Sequence, residues 1–89
     1  MKYQVDFTEK ALQHIALWKK SGQRKILKKI LLLIEELQDH PTTGTGQVEQ
    51  LRYDFAGFWS RRIDKANRMV YKIEEDRVVV TVISLKGHY

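Results

Sequence analysis

The clearest chemical potential in this sequence lies in its last two residues, His88 and Tyr89. An imidazole with an ordinary pKa of about 6.5 can take up or release a proton near neutral pH. His88 belongs to no apolar stripe and to no cluster of metal-binding residue types, so neither core packing nor metal binding explains its position. Proton transfer, or contact with a partner, is left as the reason for it.

Other catalytic chemistries find little support in the residue types present. The absence of cysteine excludes disulfides, thiolate catalysis and cysteine-bound metals. His14, His40 and His88 lack the spacing of a metal site, and no glycine-rich phosphate loop joins a strand to a helix. Ser60 has no evident neighbouring base and is expected to be an ordinary strand hydroxyl. No metal ion or other cofactor is therefore expected.

The size and composition are those of one small globular domain. The chain has 89 residues, of which 43% are hydrophobic and 30% charged. Charged residues interrupt the apolar stretch at 26–37, which falls short of the roughly 18 unbroken apolar residues of a membrane span. Residues 1–6 lack the apolar region of a signal peptide. A cytoplasmic protein without membrane contact is the expectation.

The charge balance favours a partner that carries negative charge. Sixteen Lys and Arg against eleven Asp and Glu give a net charge of +5. A polyanion such as RNA would bind with release of its condensed counterions, and an acidic protein segment would be attracted by the same field. Charge alone does not choose between these partners and a basic surface that serves only solubility.

The first half of the sequence predicts one strand and two helices. Tyr3, Val5 and Phe7 alternate with polar residues, as in a half-buried strand. Thr8 stands at an N-cap position, and the first helix should run from about residue 9 until Ser21-Gly22 interrupts it. A second helix should extend from about residue 23 to 39. Its predicted buried stripe consists of Leu27, Ile30, Leu31, Ile34 and Leu37.

The second half predicts four strands separated by short turns, at residues 48–53, 58–64, 68–74 and 77–84. The order is β-α-α-β-β-β-β, an α+β domain with two helices packed on one face of a small twisted antiparallel sheet. Both sides of the last strand are apolar, which indicates a central position. His88 and Tyr89 should therefore follow the most rigid strand of the sheet.

Three segments carry a resemblance to a known family: Gly57-Phe58-Trp59-Ser60-Arg61-Arg62-Ile63, Arg68-Met69-Val70-Tyr71 and the final His88-Tyr89. Together they resemble the RelE/YoeB family of bacterial toxins, and the YoeB/Txe type most. The resemblance covers nearly the whole chain. It implies a RelE-like fold of the microbial ribonuclease type. The implied activity is ribosome-dependent, metal-independent cleavage of messenger RNA, which stops translation.

The resemblance also implies roles for four residues. Glu49 would be the general base and His88 the general acid. Arg68 would bind the scissile phosphate through its planar guanidinium, and Tyr89 would stack on or position a base. Without the family match, Glu49 would be an ordinary solvated strand residue and Arg68 a partner for Asp64 across a turn.

Arg52, Arg62 and Lys86 fall where the family tends to have basic residues near the RNA, so they are expected to bind RNA. Arg61 and Arg62 are strand neighbours and point to opposite faces, so only one can face the substrate; Arg62 is the expected one. Trp59, on the parity of Arg61, should be core. Close relatives often have an aromatic residue where this chain has Gly87, which could leave the tail less fixed.

The family likewise implies partners. The expected ones are the ribosome with its messenger RNA, a YefM/Phd-type antitoxin with an acidic, initially disordered segment, and a second copy in a homodimer. DNA would be reached only through the antitoxin complex. Two alternatives stay open: a non-catalytic basic module that blocks ribosomes or RNA by occupancy, and a ParE-like toxin of the same fold that targets DNA gyrase. ParE-like members usually lack the His-Tyr ending.

Overall fold

The computed structural model describes residues 2–52 and 56–87. The elements follow the predicted β-α-α-β-β-β-β order, which confirms the α+β class. They are β1 (Gln4–Phe7), α1 (Glu9–Ser21), α2 (Arg24–Asp39), β2 (Glu49–Gln50), β3 (Phe58–Arg62), β4 (Arg68–Glu74) and β5 (Val79–Ser84). No helix within the described ranges combines the length and the apolar character that crossing a membrane requires.

Helix α1 begins and ends where its capping residues predict. The Thr8 hydroxyl accepts a hydrogen bond of 3.1 Å from the backbone N–H of Ala11, one of the donors that the first turn leaves unpaired. Gly22 follows the last turn at φ +73°, a left-handed conformation that glycine adopts without a Cβ penalty. Local sequence therefore fixes both ends of this helix.

Helix α2 has the predicted bounds, but its buried stripe is displaced. Leu31, expected inside, is 65% exposed, whereas Leu33 is fully buried between Ile30 and Leu37. Residues 30, 33 and 37 repeat at helical spacing and form the line that meets the sheet, and Leu31 lies about 100° away from Ile30 around the helix. In an all-leucine run at 31–33, the docking angle of the helix selects which leucine is buried.

The sheet has the order β1-β5-β4-β3-β2 within the described chain. Strand β5 lies between β1 and β4, so its predicted central position is confirmed. Adjacent strands are antiparallel except for β1, which pairs with β5 in parallel, with Val5 opposite Val80. The two helices carry the chain from β1 at one edge of the sheet to β2 at the other.

Three strands are shorter than predicted. Strand β2 covers two residues, although the N–H of Leu51 still donates to the carbonyl of Phe58. Strand β3 ends at Arg62 because the Asp64 side chain closes a turn on the N–H groups of Ala66 and Asn67. Strand β5 begins at Val79, since residues 75–78 form the turn that enters it. The prediction for β4 is confirmed.

The two faces of the sheet differ in what covers them. The face under the helices supplies, with α1 and α2, the hydrophobic core. Its strand residues include Val5, Phe7, Trp59, Met69, Tyr71, Val80 and Val82, which confirms the core position of Trp59. Alternate residues point the other way. The opposite side, called here the helix-free face, carries Glu49, Ser60, Arg62, Arg68 and Val70.

One charged side chain, Arg61, is fully buried on the core face. Its Nη1 donates to Glu36 Oε1 at 2.8 Å, and its Nη2 donates to the carbonyls of His40 and of Thr43, the latter at 2.8 Å. Its Nε donates to the hydroxyl of Tyr71 at 3.2 Å. A buried guanidinium is tolerated only when its donors find acceptors, and here helix α2, the loop after it and strand β4 supply them.

The Glu36 carboxylate completes this arrangement. Burial alone would raise its pKa, but hydrogen bonds from Thr45 and the ion pair with Arg61 outweigh burial, so the pKa of Glu36 lies below its usual value of 4.5. Its ionised form therefore stabilises the fold above that pH. The stabilisation is lost as the pH falls through the lowered pKa.

We expect Glu36→Gln to lower the free energy of unfolding at pH 7 by about 1–3 kcal/mol. Removing one partner of a fully buried pair costs roughly 3–5 kcal/mol, and the Glu36 side chain is 21% exposed. Urea unfolding at pH 7 and at a series of lower pH values measures the change. The difference from wild type should shrink on acidification, because wild-type Glu36 then becomes neutral too.

Glu35→Gln is the matched control, since Glu35 is the exposed neighbour of Glu36 on the same helix. It should stay within about 0.5 kcal/mol of wild type. Equal unfolding curves for the two variants would show that the Arg61 ion pair contributes nothing to the stability.

Candidate functional site

The helix-free face brings together three of the residues that the sequence selected. Glu49 lies opposite Ser60 in the β2–β3 pair, and Arg62 lies opposite Arg68 in the β3–β4 pair. Because Ser60 and Arg62 are two positions apart on β3, all four side chains leave the sheet on the same side. Directly opposed residues have Cβ atoms roughly 5 Å apart and diagonal ones roughly 7–8 Å apart. One carboxylate and two guanidinium groups therefore share a small surface.

Arg68 is held in place by both neighbouring elements. Its Nε donates to Ser60 Oγ at 3.1 Å, and its Nη2 donates to the carbonyl of Gln47 at 3.3 Å. The side chain is half-buried, whereas Glu49 and Arg62 are exposed. Because one inner and one terminal nitrogen of the guanidinium, Nε and Nη2, are both bonded to the protein, the guanidinium plane has a defined orientation, as recognition of a phosphate requires.

Ser60 is a residue whose importance the sequence did not reveal. It is fully buried although it faces away from the helices, and its hydroxyl is the acceptor for Arg68. The expectation of an ordinary strand hydroxyl missed this contact. Only the register of β3 against β4, which the sequence does not contain, brings the two residues together.

The loop between α2 and β2 supplies the other contact to Arg68. The carbonyl of Gly46 accepts from the N–H of Arg62 at 2.5 Å, and Gly46 has a φ of +95°. A Cβ on Gly46 would lie 2.9 Å from the carbonyl oxygen of Arg62, so a side chain there would force the loop off the strand. This close approach sets the position of the Gln47 carbonyl beside Arg68.

The segment after β5 returns to the same site. The carbonyl of Gly87 accepts from the backbone N–H of Arg68 at 3.0 Å, and the N–H of Gly87 donates to Asn67 Oδ1 at 2.8 Å. Gly87 has a φ of +82°, which suits glycine. Both backbone groups of Gly87 are hydrogen-bonded. The prediction that Gly87 leaves the tail less fixed concerns His88 and Tyr89, which lie outside the described residues, so it stays a prediction.

The remaining basic residues occupy the surroundings of this site. Arg62 is exposed while Arg61 is buried, so Arg62 is the accessible member of the pair. Lys86 is exposed and directly precedes Gly87. Arg52 is also exposed, beyond the end of β2. The described residues contain no group of three or more His, Asp or Glu side chains that could hold a metal ion.

The chemistry available on the helix-free face suits a phosphodiester. A carboxylate can accept a proton, and two guanidinium groups can bind an anion and stabilise negative charge that develops on it. The described part of the site supplies a base and cations.

The three-dimensional comparison identifies the class of protein first: a bacterial toxin domain. The structure of a YoeB/ParE toxin from Agrobacterium tumefaciens covers 97% of this chain and 99% of its own, with a TM-score of 0.90 and 30% identity. YoeB from Staphylococcus aureus, in a heterotetrameric YoeB–YefM complex, covers 100% of both chains, with a TM-score of 0.83 and 26% identity.

The sequence comparison then specifies the family. Toxin YoeB of Synechocystis is 38% identical over 85 residues, which span 96% of this chain and 95% of the relative. A sequence profile of the YoeB-like toxin of bacterial type II toxin–antitoxin systems matches residues 7–89. The chain belongs to this family of toxins, which confirms the resemblance found in the sequence.

Proposed function

We propose that this toxin is a ribosome-dependent, metal-independent endoribonuclease that cleaves messenger RNA and so inhibits translation. The observation that carries the proposal is the fixed guanidinium of Arg68 on the same face as the Glu49 carboxylate, with the backbone N–H of Arg68 bonded to the carbonyl of Gly87. Family membership supports the choice of reaction. The RNA supplies its own nucleophile, so the protein needs only a base, an acid and cations.

In the proposed reaction, Glu49 takes the proton of the 2′-hydroxyl beside the scissile bond. The 2′-oxygen attacks phosphorus, and Arg68 stabilises the negative charge that builds on the phosphorane oxygens. The bond from phosphorus to the 5′-oxygen then breaks as His88 donates a proton to that oxygen. The products are a 2′,3′-cyclic phosphate and a 5′-hydroxyl. Tyr89 stacks on or positions a neighbouring base.

Substrate binding is assigned to the other cations. Arg62 is exposed opposite Arg68, Lys86 precedes Gly87, and Arg52 follows β2. These side chains contact RNA phosphates, and the ribosome orients the message. Contacts of this kind set affinity and register, and they weaken as salt rises.

The proposed partner is an acidic YefM/Phd-type antitoxin that covers or distorts this basic site. The S. aureus YoeB with which this fold superimposes is in a complex with YefM. The net charge of +5 favours an acidic segment that orders as it binds. A homodimer belongs to the proposal as well, and DNA is reached through the antitoxin complex.

Two alternatives differ in what they require of the residues. A ParE-like toxin that acts on gyrase would have no use for His88 and Tyr89, and a basic module that blocks ribosomes by occupancy would not need the Glu49 carboxylate. Wild-type protein that binds programmed ribosomes without cutting the message would favour the blocking module.

Arg68→Lys tests phosphate recognition. Lysine keeps the charge but loses the planar fork and the Nε contact to Ser60, so we expect single-turnover cleavage on programmed ribosomes to fall at least ~10-fold while the fold survives. Arg77→Lys makes the same chemical change in the β4–β5 turn, at a residue paired with Glu74, and should cut normally. Wild-type rates for Arg68→Lys would refute the role of the fork.

His88→Gln tests the proton donor. Glutamine keeps a polar side chain of similar reach but cannot act as an acid, and loss of a general acid costs roughly 10²–10⁴-fold in rate. Single-turnover cleavage, ribosome affinity and thermal unfolding should be measured together, and only the first should change. The control His40→Gln removes an exposed histidine at the end of α2. If His88→Gln cuts as fast as wild type, the general acid is another group.

A further inference from the structure

Two side chains of helix α1 form hydrogen bonds with the backbone of one residue, Leu85, just after β5. The Trp18 Nε1–H donates to the carbonyl of Leu85 at 2.8 Å, and the N–H of Leu85 donates to His14 Nδ1 at 3.0 Å. Residues 14 and 18 are one helical turn apart and so lie on the same side of α1. Leu85 itself is fully buried. Both backbone groups of Leu85 are thus bonded to side chains of one helix.

The contact defines the protonation state of His14. A backbone N–H can only donate, so Nδ1 must carry a free lone pair and the ring must be neutral. Burial lowers the pKa of His14, and the positive charges of Lys10 on the same helix and Lys86 on the tail lower it further. The neutral, accepting form therefore prevails near neutral pH.

Leu85 lies shortly before His88 and Tyr89, the two residues of this segment to which catalysis is assigned. Leu85 precedes Gly87, which is bonded to Asn67 and Arg68, and it precedes His88 by three residues, a reach of about 10 Å. A rotation of the Leu85 backbone would change the direction in which the chain continues through Gly87 to His88. The core would be less affected, because His14 is only half-buried on the flank of α1.

We propose that His14 is a positioning residue for cleavage: its neutral imidazole holds the Leu85 backbone and thereby directs the chain that carries His88 and Tyr89. This role rests on the proposed ribonuclease function. His14 touches neither substrate nor reacting atoms in this scheme and acts through the tail.

The proposal has a pH consequence with a defined sign. The pKa of His14 is lowered on folding from its ordinary value of 6.5, so the contact contributes fully above that pH and is lost as the pH falls through the lowered value. A protonated His14 would present a donor to the N–H of Leu85. The charged groups that act on His14 in the described structure are Lys10 and Lys86, and both favour the neutral ring.

Two substitutions separate the hydrogen bond from mere packing. His14→Asn places the Asn Oδ1 acceptor at nearly the distance of Nδ1 from the main chain and cannot titrate. His14→Leu keeps the bulk and removes the acceptor. His40→Leu is the matched control, because it deletes an exposed histidine at the end of α2.

The experiment measures single-turnover cleavage on saturating programmed ribosomes, ribosome affinity, and the Leu85 and Gly87 amide resonances of the free protein. His14→Leu should cut roughly 10- to 100-fold more slowly at unchanged ribosome affinity, since a displacement of about 1 Å costs up to about 10²-fold. It should also shift both amide resonances. His14→Asn should restore the rate. The Leu85 amide of wild type should titrate with His14, and that of His14→Asn should not.

The outcomes against the proposal are distinct from failure of the proposed function. A wild-type cleavage rate for His14→Leu, or a Leu85 amide resonance that does not shift in this variant, overturns the positioning role alone. A wild type that cuts no RNA overturns the ribonuclease assignment and this role with it. Should His14→Leu fail to fold, the pH–rate profiles of wild type and His14→Asn decide: the account predicts a steeper acid-side loss in wild type, and identical profiles refute it.

Discussion

The structure depends above all on the burial of one cation. Arg61 has no exposed surface, and its donors connect Glu36 on α2, the carbonyls of the following loop and Tyr71 on β4. Desolvating a guanidinium is costly, and the cost is offset only while every partner stays in place. No buried side-chain polar atom in the described ranges lacks a hydrogen-bond partner. The loop that Arg61 organises leads directly to Gly46 and Gln47, so a core interaction sets the geometry of the surface site.

Arg68 is held both by the loop that Arg61 organises and by the segment that follows β5. Its guanidinium bonds to Ser60 and to the loop, and its backbone N–H bonds to Gly87 in the tail that α1 holds at Leu85. The Arg61 network thus fixes the side chain of Arg68 through the Gln47 carbonyl. The backbone N–H of Arg68, in turn, holds the carbonyl of Gly87. An anion bound by Arg68 would therefore have a defined position relative to both Glu49 and Gly87.

Local patterns in the sequence predicted the order of helices and strands, but they did not predict how these elements pack against one another. Caps and periodicity predicted both helices and β4, but the run of leucines at 31–33 left the rotation of α2 undetermined, and Leu31 and Leu33 were confused. The alternation of side chains along β3 placed Arg61 on the same face as Trp59, but it did not explain why a charged residue lies on the core face. The contacts of Ser60 with Arg68 and of His14 with Leu85 span 8 and 71 positions and arise only from strand register and helix packing.

The chemical ends of the RNA fragments test the central claim most directly. Programmed ribosomes should be incubated with the wild-type toxin and the cut message analysed at both new ends. Attack by the 2′-hydroxyl predicts a 2′,3′-cyclic phosphate, or the 3′-phosphate that forms from it, upstream of the cut and a 5′-hydroxyl downstream. A 3′-hydroxyl with a 5′-phosphate would contradict the account, because the proposed acid–base chemistry cannot produce those ends.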